Sequence, residues 1–143
     1  MDQLNSDTIN RKLLMQPQHQ KFHLEGVKHI SPVEAFDLLI DEKAMLIDVR
    51  NKEEYGIERV SLDNIKNYPM TEILNNLEYL PKDILLITMD TTGERGTKVA
   101  NLLNMQQFSQ VANMDGGITQ WRTDNLPIED ILPGECGGCS GCC

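Results

Sequence analysis

Cysteine is missing from the first 135 residues of this 143-residue chain, and all four cysteines fall in the last eight. Thiol chemistry is therefore confined to one short C-terminal stretch. Basic residues are in deficit: 13 Lys and Arg stand against 22 Asp and Glu, a formal net charge of -9. That balance argues against DNA, RNA or an anionic membrane surface as the main partner. No apolar run approaches the roughly 20 residues needed to span a bilayer. The N-terminus lacks a basic region followed by an apolar stretch, so no secretory signal is expected. A cytoplasmic location follows as the default. In that compartment thiols stay mostly reduced, so ligand or redox roles for the cysteines outrank a disulfide framework. No internal repeat is visible.

What is present suits one globular domain. The apolar fraction is 40% and the charged fraction 24%, and the length is ample for one core. Residues 1–20 are polar and Gln/Asn-rich and are expected to form a flexible arm. Residues 21–130 form the domain, and 131–143 a flexible Gly/Cys-rich tail. Phe22, Leu24, Val27 and Ile30 suggest a small entry strand. Ser31-Pro32-Val33-Glu34 is a helix start, with Ser31 as cap, Pro32 at the first helical position and Glu34 completing a capping box. Ala44–Val49 is apolar on both faces apart from Asp48 and reads as a buried strand. Glu53–Tyr55 reads as a helical turn, and Val60, Leu62 and Ile65 as one short extended segment. Pro69–Leu80 reads as a helix, and Ile84–Met89 as a second buried strand. Val99, Ala100, Leu102, Leu103 and Met105 recur at the spacing of a core-facing helix. Phe108, Val111 and Ala112 lead into another strand. Gly116-Gly117 then turns the chain into a last helix that carries Trp121 into the core. Strands alternating with helices through short links imply right-handed crossovers and a largely parallel sheet covered on both faces.

The organising stretch is Leu85–Arg95. An apolar strand ends abruptly in Asp90-Thr91-Thr92-Gly93-Glu94-Arg95, and a helical pattern follows. A tight loop of this kind points several backbone N–H groups at one spot beside a helix N-terminus, which makes an anion cradle. Asp90 stands at its mouth and Arg95 at its far end. Arg95 either holds an oxyanion or locks the loop through carboxylates such as Glu54 or Asp90. Asp48 is expected to accept hydrogen bonds from the loop that follows it, with Arg50 paired to an acidic neighbour. Thr91 and Thr92 have no evident base beside them. His19, His23 and His29 lie on or near the arm and are expected to be solvated, with metal ligation the lesser option.

Leu46-Ile47-Asp48-Val49-Arg50, Glu53-Glu54-Tyr55, the loop ending Gly93-Glu94-Arg95, Met114-Asp115-Gly116-Gly117-Ile118-Thr119-Gln120-Trp121 and Leu126-Pro127-Ile128 together resemble a single-domain rhodanese-like protein. The resemblance covers about residues 27 to 129. It implies a three-layer α/β domain around a five-stranded, mainly parallel sheet flanked by helices. It also implies a loop whose amides cradle a cysteine persulfide in active members, which pass sulfur to cyanide, thiols or another protein. Converging N–H dipoles and a helix start stabilise such an anionic sulfur. In this chain the nucleophile position is Asp90. Gly93 and Arg95 match the family's loop glycine and arginine, and Gly96 stands where a serine is often found. The upstream Gly-His-Ile-x-Gly-Ala segment typical of the family is replaced by Glu58–Asp63. A carboxylate cannot carry a transferable sulfane sulfur. Asp90 is instead expected to fill the cradle itself and to leave the loop inactive as a thiosulfate sulfurtransferase.

The tail Pro133–Cys143 is the other unusual feature. Cys136, Cys139, Cys142 and Cys143 are spaced by glycine and serine, with no apolar residue to bury them. Glycines let the backbone wrap so that several sulfurs converge. Three roles stay open: a thiol relay or sulfur carrier serving a thiol or sulfur-carrier protein partner, a soft-metal site for Zn, Cu(I) or an Fe–S cluster, and an end with no chemistry. In the last case the domain is an inactive protein-binding module.

Overall fold

The computed structural model describes residues 6–131. Twelve regular elements follow one another: α1 (Ser6–Lys12), β1 (His29–Ile30), α2 (Pro32–Ile40), β2 (Ala44–Asp48), α3 (Lys52–Ile57), β3 (Glu58–Val60), β4 (Ile65–Asn67), β5 (Leu85–Met89), α4 (Glu94–Met105), β6 (Val111–Met114), α5 (Gly117–Thr123) and β7 (Ile128–Asp130). A 3-10 segment, Met70–Tyr79, lies between β4 and β5. Five strands form one parallel sheet in the order β1-β6-β5-β2-β4. β5 and β2 are central and buried along their whole length save Met45. That is why they read as nearly continuous apolar runs, interrupted by Asp48 and Thr88, rather than alternating ones.

Each face of the sheet buries its own cluster. On one side Ala35, Leu38 and Leu39 of α2 and Ile118 and Trp121 of α5 pack against Leu46, Ile87 and Ala112. On the other, Val99, Ala100 and Leu103 of α4 and Ile73 of the 3-10 segment cover Ile47, Leu86 and Val111. Trp121 is fully buried, meets Phe36 edge-on at 6.0 Å between ring centres, and donates its indole N–H to the Pro127 carbonyl at 2.8 Å. The expected three-layer α/β domain with a five-stranded sheet is thus present.

Local readings met mixed outcomes. Ser31 caps α2 by accepting from the Glu34 N–H at 3.2 Å. The Glu34 carboxylate reaches across to Lys12 at 2.6 Å. The stretch expected as one extended segment divides in two. β3 pairs antiparallel with β7, while β4 pairs parallel with β2 in the main sheet. Pro69–Leu80 is a 3-10 segment rather than an α-helix. Its Glu72 N–H bonds to Pro69 and its Leu80 N–H to Leu77, each three residues back, and its apolar pairs Met70/Ile73 and Leu77/Leu80 carry the same spacing of three. Met105 is exposed at the end of α4.

The N-terminal segment departs furthest from expectation. The sequence predicts residues 1–20 to be a flexible arm apart from the domain, and its described part, residues 6–20, lies against the domain instead. In the structure Ile9 of α1 and Leu13 just after it pack against the core. Leu14 exchanges two backbone hydrogen bonds with His29 at 2.7 and 2.8 Å, and Gln18–Gln20 bind the region beside the Asp90 loop. The arm's polar composition concealed this, because its contacts to the domain there are hydrogen bonds rather than apolar burial. Among the described residues no helix is long and apolar enough to cross a membrane. Apart from Ile131, the expected tail, including Cys136, Cys139, Cys142 and Cys143, lies outside the described residues.

Candidate functional site

The sheet's parallel order places the ends of β2, β5 and β6 side by side, and the Asp90 loop emerges there. Asp90 follows the last residue of β5 and is buried. Its two carboxylate oxygens accept the backbone N–H groups of Gly93 at 2.6 Å and Arg95 at 2.8 Å. The side chain thus sits in the cradle that its own loop makes, as the sequence led one to expect. Gly93 carries φ +116°, a conformation that suits glycine and lets the chain turn from the strand into α4. The loop's carbonyls are held from the other side: Ile118 and Thr119, in the first turn of α5, donate to the Asp90 and Thr91 carbonyls at 2.8 and 3.0 Å. Two orphan helix donors and two loop acceptors are satisfied together. Gly117 sits where the two segments touch, at φ +65°, and any Cβ there would meet those same carbonyls.

Arg95 forms a two-pronged ion pair with Glu54 of α3, at 2.9 and 3.0 Å, and donates to the Thr91 hydroxyl at 3.1 Å. Its Nε lies 3.6 Å from Asp90. Both anticipated carboxylate partners are therefore engaged. The Arg95 guanidinium holds the Glu54 carboxyl below the usual carboxylate range, and Glu54 in turn raises Arg95. Glu54 also closes a capping box with Asn51 at the start of α3. The expectation that Thr91 has no neighbouring base needs amendment: Glu54 Oε2 stands 3.4 Å from its hydroxyl. A carboxylate clamped by Arg95 with a lowered pKa is a poor proton acceptor. Glu94 faces outward and pairs with Lys98.

Beneath the loop lies a buried ion pair. Arg50 and Asp48 are both almost wholly inaccessible, with Nη2 to Oδ2 at 2.8 Å and Nε to Oδ1 at 3.0 Å. Asp48 also accepts the Arg50 backbone N–H, and Arg50 donates to the Glu58 carbonyl at 2.6 Å. The pair ties the end of β2 to the start of β3, both roles as expected from sequence.

Gly96, where the resemblance suggests serine, has a spatial reason. A Cβ there would strike Asn113 Oδ1. Gly96→Ser is expected to lower stability by about 1–3 kcal/mol through overpacking, and Asn113→Ala is expected to relieve most of that loss in the double variant. Urea denaturation of the four proteins checks it. Additive losses would show that the two sites do not collide.

Sequence reasoning missed the polar cluster beside the loop: Gln20, His29, Asn113 and Asp115. His29, expected to be solvated, is fully buried on β1. Its pKa is lowered from 6.5 to about 4, first by burial, then by His23, with Asp115 opposing. The available signal was Asn113, a lone polar residue within the apolar run Val111–Met114; His29, between Lys28 and Ile30, carries no such signal. A surface cavity of about 450 Å³ lined by Leu39, Ile40, Met45, Leu62 and Ile84 lies at the opposite end of the strands. Among the described residues no group of three or more His, Cys, Asp or Glu side chains is placed to hold a metal ion.

A parallel sheet whose central strand feeds an amide-lined loop and a helix defines a three-layer α/β domain with an anion-cradle loop. The chain belongs to the rhodanese-like domain family, whose family model matches residues 31–124. It is 30% identical over 115 residues to the tRNA uridine(34) hydroxylase of Shouchella clausii, covering 76% of this chain but 35% of that protein. It therefore spans about a third of the length of that relative. It is 28% identical over 106 residues to the thiosulfate sulfurtransferase GlpE of Actinobacillus pleuropneumoniae, covering 73% of this chain and 95% of that one. Among solved structures it is similar to a rhodanese-like domain protein from Staphylococcus aureus, with a TM-score of 0.59, 28% identity, and coverage of 65% and 89% respectively.

Proposed function

We propose that this is a rhodanese-like protein whose loop transfers no sulfur and whose thiol chemistry resides in Cys136, Cys139, Cys142 and Cys143. The carrying observation is the Asp90 carboxylate seated on the Gly93 and Arg95 N–H groups. The space an attacking thiolate or its persulfide needs is filled by a group that can do neither job. The chain's thiols are all C-terminal. The last described residue supports the reading too. Ile131 donates to the Ile57 carbonyl at 2.6 Å, one helical turn from the Glu54 that grips Arg95. Twelve further residues reach up to about 40 Å when extended, at roughly 3.3 Å each, so the thiols have both the loop and a docked partner within range. The partner that fits is a thiol or sulfur-carrier protein. The net charge of -9 offers no basic footprint for the RNA named in the longer relative.

The reaction proposed is displacement: a tail thiolate attacks the outer sulfur of thiosulfate, the S–S bond breaks, and sulfite leaves with the electron pair. Intact mass after incubation with thiosulfate is expected to show a gain of about 32 Da per persulfide on the tail peptide, absent when all four cysteines are replaced by serine. An unchanged mass would sink the sulfur-carrier reading. A mass excess seen only under native conditions and lost to a chelator would assign the thiols to Zn, Cu(I) or an Fe–S cluster.

A second reading is a binding module with no chemistry of its own, favoured by the closed Arg95–Glu54 pair. A protein partner retained by the four-serine variant as strongly as by the parent would favour it.

A further inference from the structure

Residues 15–23 run across the C-terminal end of β6 and the start of α4, anchored by the Leu14–His29 backbone pairing before them and by buried Val27 after them. The Gln18 and His19 N–H groups donate to the two Asp115 carboxylate oxygens at 2.7 and 2.9 Å. Gln20 is the latch. Its Oε1 accepts from the Gly116 N–H at 2.8 Å and from Asn113 Nδ2 at 3.1 Å. Its Nε2 donates to the Phe22 carbonyl at 2.8 Å and the Thr97 hydroxyl at 2.9 Å, with the Gly93 carbonyl 3.2 Å away. One amide thus joins the segment to the Asp90 loop and to the turn before α5.

The latch continues inward as a polarised chain. Asn113 Nδ2 also meets His29 Nδ1 at 3.2 Å, and His29 Nε2 meets His23 Nδ1 at 2.8 Å. Asn113 Nδ2 can only donate, so His29 Nδ1 accepts, Nε2 carries the proton, and His23 Nδ1 accepts in turn. Asn113 Oδ1 is buried with no partner. Add one proton to the pair. Whichever ring takes it, the two facing nitrogens share one hydrogen, and both outer nitrogens are then protonated. An N–H at His29 Nδ1 confronts the Asn113 NH2. Relief requires the amide to turn so that its orphan Oδ1 faces the imidazolium. That turn sets Oδ1 against Gln20 Oε1, two acceptors face to face.

We propose that residues 18–23 are a proton-released strap: a proton on the His23–His29 pair turns the Asn113 amide, ejects Gln20 and uncovers Gly93 and Gly116 beside the Asp90 loop. His19, another titratable residue of the strap, lies against Gly116. Asp115 bears on His29 from the end of β6, while Arg95 and Glu94 at the start of α4 are paired with Glu54 and Lys98. The buried ring is neutral at pH 7, its pKa being lowered to about 4. The sign follows: between the unfolded value of 6.5 and about 4 the folded chain binds fewer protons than the unfolded one. The contribution of His29 to stability is therefore full above 6.5 and is lost as pH falls towards 4.

The test is amide exchange of the full chain followed by NMR, corrected for intrinsic rates. Protection of the Gly116 amide is expected to fall about tenfold or more between pH 7 and roughly pH 3.5, a range that spans the His29 value of about 4, with Val49 and Leu86 in the core unmoved, as in a local opening. Its midpoint should coincide with the 15N titration of the His29 ring in the same sample. His29→Gln, which keeps a neutral polar side chain, should abolish the transition. Persistence of the same midpoint in that variant would assign the effect to a group other than His29 and overturn the proposal. Should that variant not fold, the unmodified chain decides alone. Gly116 protection that is unchanged as His29 titrates, or that falls only together with the core, refutes the strap.

Discussion

Asp90→Cys, made in the four-serine tail background, is expected to create a persulfide-forming loop where the parent has none. Two N–H groups that now hold the carboxylate at 2.6 and 2.8 Å converge on the space a cysteine sulfur and its outer sulfane sulfur would occupy. They lie at the N-terminus of the twelve-residue α4. Both effects favour thiolate over thiol. Thiosulfate should then add one sulfur to residue 90 with release of sulfite. Cyanide should remove it as thiocyanate and restore the thiolate. Because a single oriented donor contributes about 10²–10³ in rate to a developing anion, turnover is expected to exceed that of the Asp90 background by about a hundredfold or more. The readouts are intact mass and thiocyanate formation. A correctly folded variant that neither gains sulfur nor turns over would show that the Arg95–Glu54 clamp closes the cradle to outside anions, whatever the residue at its mouth. Adding Glu54→Gln to that variant would then separate the clamp from the missing thiol.

Arg50→Ala is expected to be the most destabilising single change in the molecule. Arg50 and Asp48 are both about 2% accessible or less, and their pairing is two-pronged. Removal of the guanidinium strands the Asp48 carboxylate in the interior and leaves the Glu58 carbonyl without its donor. Breaking a buried pair from one side costs about 3–5 kcal/mol, far more than the pair is worth against an apolar replacement. Arg50→Lys should be nearly as harmful, since an ammonium cannot reproduce the fork. The double change Asp48→Leu with Arg50→Met should recover much of the loss. Urea midpoints test all three. A loss below about 1 kcal/mol for Arg50→Ala would mean that the site admits water and behaves as a surface pair. The consequence for function is positional. Val49 donates to the Met89 carbonyl at 2.9 Å, so disorder at the end of β2 passes directly to the residue that precedes Asp90.

Much of the domain was legible because its strongest signals are local. β2 and β5 are five-residue strands that are apolar except for Asp48 and Thr88, the pattern of a strand buried on both faces. Ser31-Pro32 marks a helix start whatever follows. The strand, loop and helix around Asp90 announce an amide cradle by themselves, and a carboxylate at its mouth announces what fills it. Glu54 is among the carboxylates the sequence offers to Arg95, and the structure adds the capping box with Asn51 that fixes it at the start of α3.

Other features depended on pairing between distant segments. β3 and β4 look alike as short extended stretches, and only their partners, β7 and β2, place them in different sheets. The polar N-terminal segment has no periodicity that betrays Gln20, because its bonds run to Gly93, Asn113 and Gly116, more than seventy residues away. His29 and Asn113 are polar residues in apolar surroundings, tolerated because β1 and β6 are neighbours and each side chain finds the other. The sequence by itself determined the strand-loop-helix framework, the occupied cradle and the absence of a thiol within it, since each rests on adjacent residues and on residue chemistry. The tertiary structure alone decided which histidine is buried and which segment covers the loop. Burial and hydrogen-bond partnership depend on which segments the fold brings together, and that choice is made by the whole core rather than by any one stretch.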